Sequence, residues 1–201
     1  IEFLCKGTGR DLRQQQRPGL VVELMEQIQN VKINLSPTEL MKSGHAGRLI
    51  GIIREFGLKP SYFQFEITET VATEYSESLS QAAAEFVEAG IGLCLDDFGA
   101  GYANLNTVLK LPFSEIKLDK SLLVGICEDD RIASFYQSIV AALQNMGYAV
   151  IAEGVETPKE LGLVSRWGVD LIQGYYFSRP LPGEALLSAV LDREGAAPAM
   201  R

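Results

Sequence analysis

Gly92-Leu93-Cys94-Leu95-Asp96-Asp97, residues 92–97, is a short apolar run that ends on two adjacent carboxylates. Side chains alternate along an extended chain, so a run of this length, opened by Gly and closed by acids, reads as a strand. One acidic strand end says little, because an Asp or Glu there is more often a helix cap or loop anchor than a ligand. Here the ending recurs. Runs at 31–36, 62–68, 115–119, 148–153 and 171–174 reach Asn34, Glu66, Lys117, Glu153 and Gln173 in the same way.

Working outward, segments of helical period separate these runs, at 38–56, 76–89, 103–109, 131–146, 158–166 and 183–191, with another at 19–29. Pro37 and Pro158 stand where a first helical turn tolerates proline, and Gly90 and Gly147 follow helices as stops. Strands alternating with helices predict βα units around a parallel sheet. A further strand at 2–6 (EFLCK) brings the count to seven. That is one short of a (βα)8 TIM-type barrel, whose usual length is ~250 residues. The expectation is an α/β fold: one barrel domain over 1–193, its first strand missing from this chain, and a frayed tail at 194–201.

Composition narrows the function classes. Of 201 residues 47% are hydrophobic, enough for one substantial core, and no stretch approaches the ~20 consecutive apolar residues of a membrane span. The net charge of −8 argues against a general nucleic-acid surface. A small anionic ligand stays compatible with it, since bound cations reverse the local sign of a carboxylate-lined site. Cys5, Cys94 and Cys127 are odd in number and form no CxxC pair, which points to a reducing, cytoplasmic setting.

In a parallel barrel, functional groups gather at the C-terminal strand ends. Several carboxylates converging there are costly unless cations compensate them. A donor set of Asp, Glu and Asn, without Cys or His, suits Mg²⁺ or Mn²⁺. The adjacent Asp96 and Asp97 suggest a bridged pair of ions, as in two-metal phosphoryl chemistry. Lys117 beside them is placed to hold a water or neutralise a phosphate oxygen, with nearby cations disfavouring its protonated form.

These residues resemble the EAL domains, phosphodiesterases specific for the bacterial second messenger cyclic di-GMP. The matching stretches are Asn34-Leu35-Ser36, FEITET (65–70), LDDFGAGYANL (95–105), IKLDKSLL (116–123), IAEGVET (151–157) and QGYYFSRPLP (173–182). The resemblance implies that Asn34, Glu66 and Asp96 bind one metal and that Asp96, Asp97 and Glu153 bind the other. It implies Lys117 at the nucleophilic water, Asp119, Gln173 and Glu156 as supports, and Glu69 as anchor of the 97–105 loop. Lys6, Arg179 and Pro180 are the expected substrate contacts. The implied reaction opens cyclic di-GMP to linear pGpG, in a homodimer fused to upstream sensory or GGDEF domains. Members carry Glu-Ala-Leu-x-Arg on their second strand; Glu2-Phe3-Leu4-Cys5-Lys6 fits it with Phe for Ala and Lys for Arg, making Glu2 the remaining metal ligand. The connection from Glu2 to Asn34 is shorter than is usual for members. Two rivals stay open: a receptor that binds cyclic di-GMP without hydrolysis, and a scaffold with a vestigial site.

Other conspicuous residues have plainer readings. The string Glu184-Ala185-Leu186 lies on the last helix, away from the site. His45 reads as a surface or capping residue, Trp167 as a core plug, Cys94 as a buried inert thiol, and Glu128-Asp129-Asp130 as a helix cap.

Overall fold

The computed structural model describes residues 30–36, 44–73, 77–101, 109–182 and 185. The sequence-predicted strand at 2–6, the helix at 19–29, most of those at 103–109 and 183–191, and the tail at 194–201 lie outside the described residues.

Six strands pair side by side in chain order, every pair parallel. They are β1 (Val31–Asn34), β2 (Phe63–Thr68), β3 (Gly92–Phe98), β4 (Glu115–Leu118), β5 (Ala149–Ala152) and β6 (Leu171–Ile172). The helices between them are α1 (His45–Glu55), α2 (Glu69–Thr73), α3 (Glu77–Glu88), α4 (Asp130–Asn145) and α5 (Pro158–Arg166), with 3-10 turns at Pro60–Tyr62 and Lys120–Leu123. Consecutive parallel strands joined by helices give the TIM-type barrel architecture expected from the sequence, here with six strands among the described residues. The five-residue α2, directly after β2, was not anticipated.

Helical period sets the outer layer. Ala46, Ile50 and Ile53 of α1, Leu79, Ala82, Ala83 and Phe86 of α3, and Tyr136, Val140 and Leu143 of α4 are buried at spacings of three and four. They cover the strand face made by Phe63, Phe65, Ile67, Leu93, Leu95, Ile116 and Leu118, all buried in one core. The Phe65 and Phe86 rings meet edge to face, 4.8 Å between centroids.

The opposite face of the strands is polar, and it is concave. Lys32 on β1 forms an ion pair with Glu115 on β4 and donates to Gln64 Oε1 on β2 at 2.5 Å. In a flat sheet β1 and β4 stand three spacings of about 4.8 Å apart, with side chains perpendicular to the sheet. Their charged ends meet, which requires a sheet curled so that both point toward one axis.

Caps place the loops. Asp129 Oδ1 accepts from Arg131 N at 2.8 Å, so the acidic run at 128–130 starts α4, as the sequence suggested. Thr157 and Glu160 form a reciprocal capping box on α5, with Pro158 in its first turn. Trp167 ends α5 half-buried, its ring 5.5 Å from that of Tyr136.

Candidate metal centre

Alternation along the strands sends the apolar residues outward and leaves Glu66, Asp96 and Lys117 on the inner face. Glu66 stands in register with Asn34 on β1 and Cys94 on β3. Asp96 and Asp97 stand near the C-terminal end of β3, and Lys117 belongs to β4. Glu153 follows β5 directly, and its backbone N–H donates to Leu118 O at 3.1 Å, which extends the ladder by one residue and aims the side chain at its neighbours.

Lys117 is the hub. Its Nζ lies 2.6 Å from Glu153 Oε1, 2.8 Å from Asp96 Oδ1 and 3.1 Å from Glu66 Oε1, and its side chain is only 5% exposed. Burial pulls its ammonium down, but Glu66 and the hydrogen bonds to Asp96 and Glu153 outweigh that and hold it above the ordinary lysine range. Burial raises Glu66 and Glu153 above the usual carboxylate range, against the opposing pull of Lys117. Asp97 is raised as well, by burial first and then by the charges of Asp96 and Asp119. Cys94 is fully buried within this acidic interior and its thiol is pushed up by that burial, which keeps it inert.

Asp96, Asp97 and Glu153 each offer a carboxylate oxygen, and these atoms lie within 4.8 Å of one another. Three convergent oxygens with no nitrogen or sulfur donor fit a hard divalent cation. Asp97 holds φ = 57°, the left-handed region that a side chain enters at a cost of about 1–3 kcal/mol. Local hydrogen bonds sustain it. Asp97 N donates to Asp96 Oδ1 at 3.0 Å, Ala100 N to Asp97 O at 3.1 Å, and Gly99 N to Glu69 Oε2 at 3.2 Å.

The remaining sequence candidates divide. Glu69, buried on α2, accepts from Gly99 N in the 97–101 turn at 3.2 Å. Asn34 is exposed at the tip of β1, beside Glu66 in register. Asp119 caps the turn that follows β4, its Oδ1 accepting from Ser121 N at 2.9 Å. Gln173 follows β6 with its side chain exposed, while its backbone joins Ala152 O and Val155 N. Arg179 stacks its guanidinium 4.8 Å from the Tyr175 ring centroid, and Pro180 next to it is exposed. Glu156 is exposed and lines a cleft of about 610 Å³ between the 120–128 turns and the 153–160 segment. Glu2 and Lys6 lie outside the described residues.

Sequence reasoning missed how tightly the mouth loops touch. Gly99 faces Leu122 and Gly154 faces Lys120, both glycines with positive φ. A Cβ on Gly174 would lie 2.0 Å from Val155 O and 2.4 Å from Val155 N. A glycine at each loop turn was the available signal, but its partner loop was not readable. The polar set of Lys32, Gln64 and Glu115 was also missed, although their alternate spacing with the outer apolar residues marks them as inward.

A family model described as "EAL domain" matches residues 2–180. The chain is 34% identical over 158 residues to the cyclic di-GMP phosphodiesterase RocR of Pseudomonas aeruginosa, covering 79% of this chain and 40% of that protein. It is 32% identical over 156 residues to the cyclic di-GMP phosphodiesterase NbdA of the same organism, covering 78% and 20%. Among solved structures it is similar to the EAL domain of Mycobacterium smegmatis DcpA, with a TM-score of 0.76, 27% identity, and 84% and 75% of the two chains covered. The Klebsiella pneumoniae BlrP1 complex with manganese and cyclic di-GMP matches with a TM-score of 0.73 and 31% identity, over 81% and 42%. The chain thus spans 40% or less of the length of these curated relatives.

Proposed function

This chain belongs to the EAL domain family, and on that premise we propose that it hydrolyses one phosphodiester of cyclic di-GMP to give linear pGpG, using two Mg²⁺ or Mn²⁺ ions. The observation that carries the reading is the convergence of Asp96, Asp97 and Glu153 within 4.8 Å, joined to Glu66 through Lys117. The names of relatives support the substrate: RocR and NbdA are called cyclic di-GMP phosphodiesterases, and the BlrP1 structure holds cyclic di-GMP with manganese. A bifunctional diguanylate cyclase/phosphodiesterase and an oxygen sensor protein among the relatives support attachment of this unit to cyclase or sensory domains.

Asn34, Glu66 and Asp96 would hold one ion, and Asp96, Asp97 and Glu153 the other, with Glu2 completing the set. When bound, the ions supply an activated water and neutralise the charge that builds on the phosphoryl oxygens. Lys117, whose three N–H donors face Glu66, Asp96 and Glu153, would turn one of them toward that water or a non-bridging phosphate oxygen once ions engage those carboxylates. Glu69 holds the 97–101 turn so that Asp97 keeps its left-handed conformation. Arg179, on the Tyr175 ring, and Lys6 would meet the dinucleotide, with Pro180 beside them. In the reaction the water oxygen bonds to phosphorus, one ester P–O bond breaks, and the released sugar oxygen takes a proton.

The test is a timed incubation of the chain with cyclic di-GMP and MnCl₂ or MgCl₂, products separated by chromatography, with an EDTA control. Metal-dependent pGpG is expected. Nucleotide binding with no product in either metal would overturn hydrolysis in favour of a receptor.

A further inference from the structure

The inner face of the sheet carries a second polar layer, one step below the carboxylates. Lys32 (β1) meets Glu115 (β4) and Gln64 (β2), and Gln64 Nε2 lies 3.4 Å from Ser114 Oγ, which in turn donates to Leu93 O at 3.2 Å. Ser114 O accepts from Ala149 N at 3.0 Å. One connected network therefore runs from β1 to β5. The Lys32 and Glu115 side chains are 20% and 14% exposed, so the pair is largely desolvated. Such a pair is weak evidence for stability, because well-packed apolar groups of the same volume often do as well or better. Its geometry suggests another use.

Among the described residues β1 is the end strand and pairs only with β2, over four residues. Backbone pairing sets its register with β2. It controls far less well how steeply β1 curls toward β4 and β5, since the twist between paired strands varies widely. The Lys32–Glu115 contact spans that curl as a chord across the concave side. Two residues further along β1, on the same inner face, stands Asn34.

We propose that the Lys32–Glu115 pair, braced by Gln64, sets the curl of β1 and so places Asn34 over the carboxylate cluster. Lys32 and Glu115 are positioning residues for metal binding. This rests on the reading above that Asn34 is a ligand. Asn34 cannot be drawn in from its own strand alone, being exposed and flanked by Ile33 and Leu35, which face the helices. The chord acts from below, leaving the mouth open for ligand. Gln64 suits the brace because its amide can offer either oxygen or nitrogen to its neighbours.

The experiment titrates MnCl₂ into the chain by calorimetry and follows thermal unfolding in parallel. Wild type is expected to show two binding steps; if it binds no Mn²⁺, the metal-centre reading itself fails. In Lys32→Met/Glu115→Met the apolar pair leaves no uncompensated charge, so unfolding occurs at the wild-type temperature or above it. One Mn²⁺ step weakens by about 10-fold, at the low end of what loss of an outer support costs. Wild-type affinity for both ions in this folded variant would overturn the proposal. The exchanged pair, Lys32→Glu/Glu115→Lys, restores the chord with Gln64 turned over, and is expected to bind both ions close to the wild-type affinity. A persistent loss of one step in the exchanged pair would likewise overturn it, whether or not the Met pair folds.

Discussion

Gly174→Ala probes the contact between the last two strand ends. The new Cβ would stand 2.0 Å from Val155 O, 2.4 Å from Val155 N and 2.7 Å from Val155 C, all backbone atoms with no rotamer to relieve them. Two hydrogen bonds hold the segments together, Val155 N to Gln173 O at 3.2 Å and Tyr176 N to Val155 O at 3.0 Å. Separating the segments enough for a methyl group breaks both. Each is worth about 1 kcal/mol net, and stranding the polar groups of the fully buried Val155 adds to that, for a total of about 2–4 kcal/mol. At about 2–4 °C per kcal/mol in a domain of this size, the midpoint falls by roughly 5–15 °C. Glu153 lies two residues before Val155, so Mn²⁺ should bind more weakly too. The control is Gly162→Ala in α5, where nothing lies within 4 Å of the new Cβ. There alanine stabilises by up to about 1 kcal/mol through helix propensity. Thermal unfolding with and without MnCl₂ measures both variants. A Gly174→Ala midpoint equal to wild type would refute the reasoning that this backbone approach clamps the mouth.

Other perturbations have definite signs. Lys117→Met leaves Glu66, Asp96 and Glu153 facing one another without their cation, so the metal-free chain should lose about 3–5 kcal/mol, with much of the loss recovered in MnCl₂, as thermal unfolding will read. The same variant should lose turnover mainly in kcat rather than KM, measured as pGpG formation. Tyr136→Phe removes a buried hydroxyl that has no hydrogen-bond partner among the described residues; the chain should become more stable by about 1 kcal/mol, seen as a higher urea midpoint. Thr157→Ala dismantles the α5 capping box and should cost about 1 kcal/mol in the same urea titration.

Much of the fold was legible because the signals are local. The periods of two and of 3.6 follow from backbone geometry, so six strands and α1, α3, α4 and α5 fall where apolar spacing put them. Boundaries moved by a few residues at most of the described ends, and the strand predicted over 115–119 stops at Leu118, where Asp119 caps the 3-10 turn at Lys120–Leu123. Asp119 shows why. As a carboxylate two residues beyond Lys117 it belongs to the strand by alternation, yet its oxygen is taken by Ser121 N, a local hydrogen bond that competes with the ladder.

Residue types and their order along the chain were enough to specify a parallel βα barrel and a set of oxygen donors at its strand ends, since each strand end is a local event. Which donors meet is not local. That Lys117 reaches three carboxylates from three other strand ends depends on the curl of the sheet. So does the meeting of Lys32 with Glu115, 83 positions apart in the chain. Gly174 looks like any loop glycine until Val155 is packed against it. Curvature and loop contact depend on contacts summed over both faces of the sheet, the helices outside and the Lys32–Glu115 chord inside, and no stretch of sequence carries that sum.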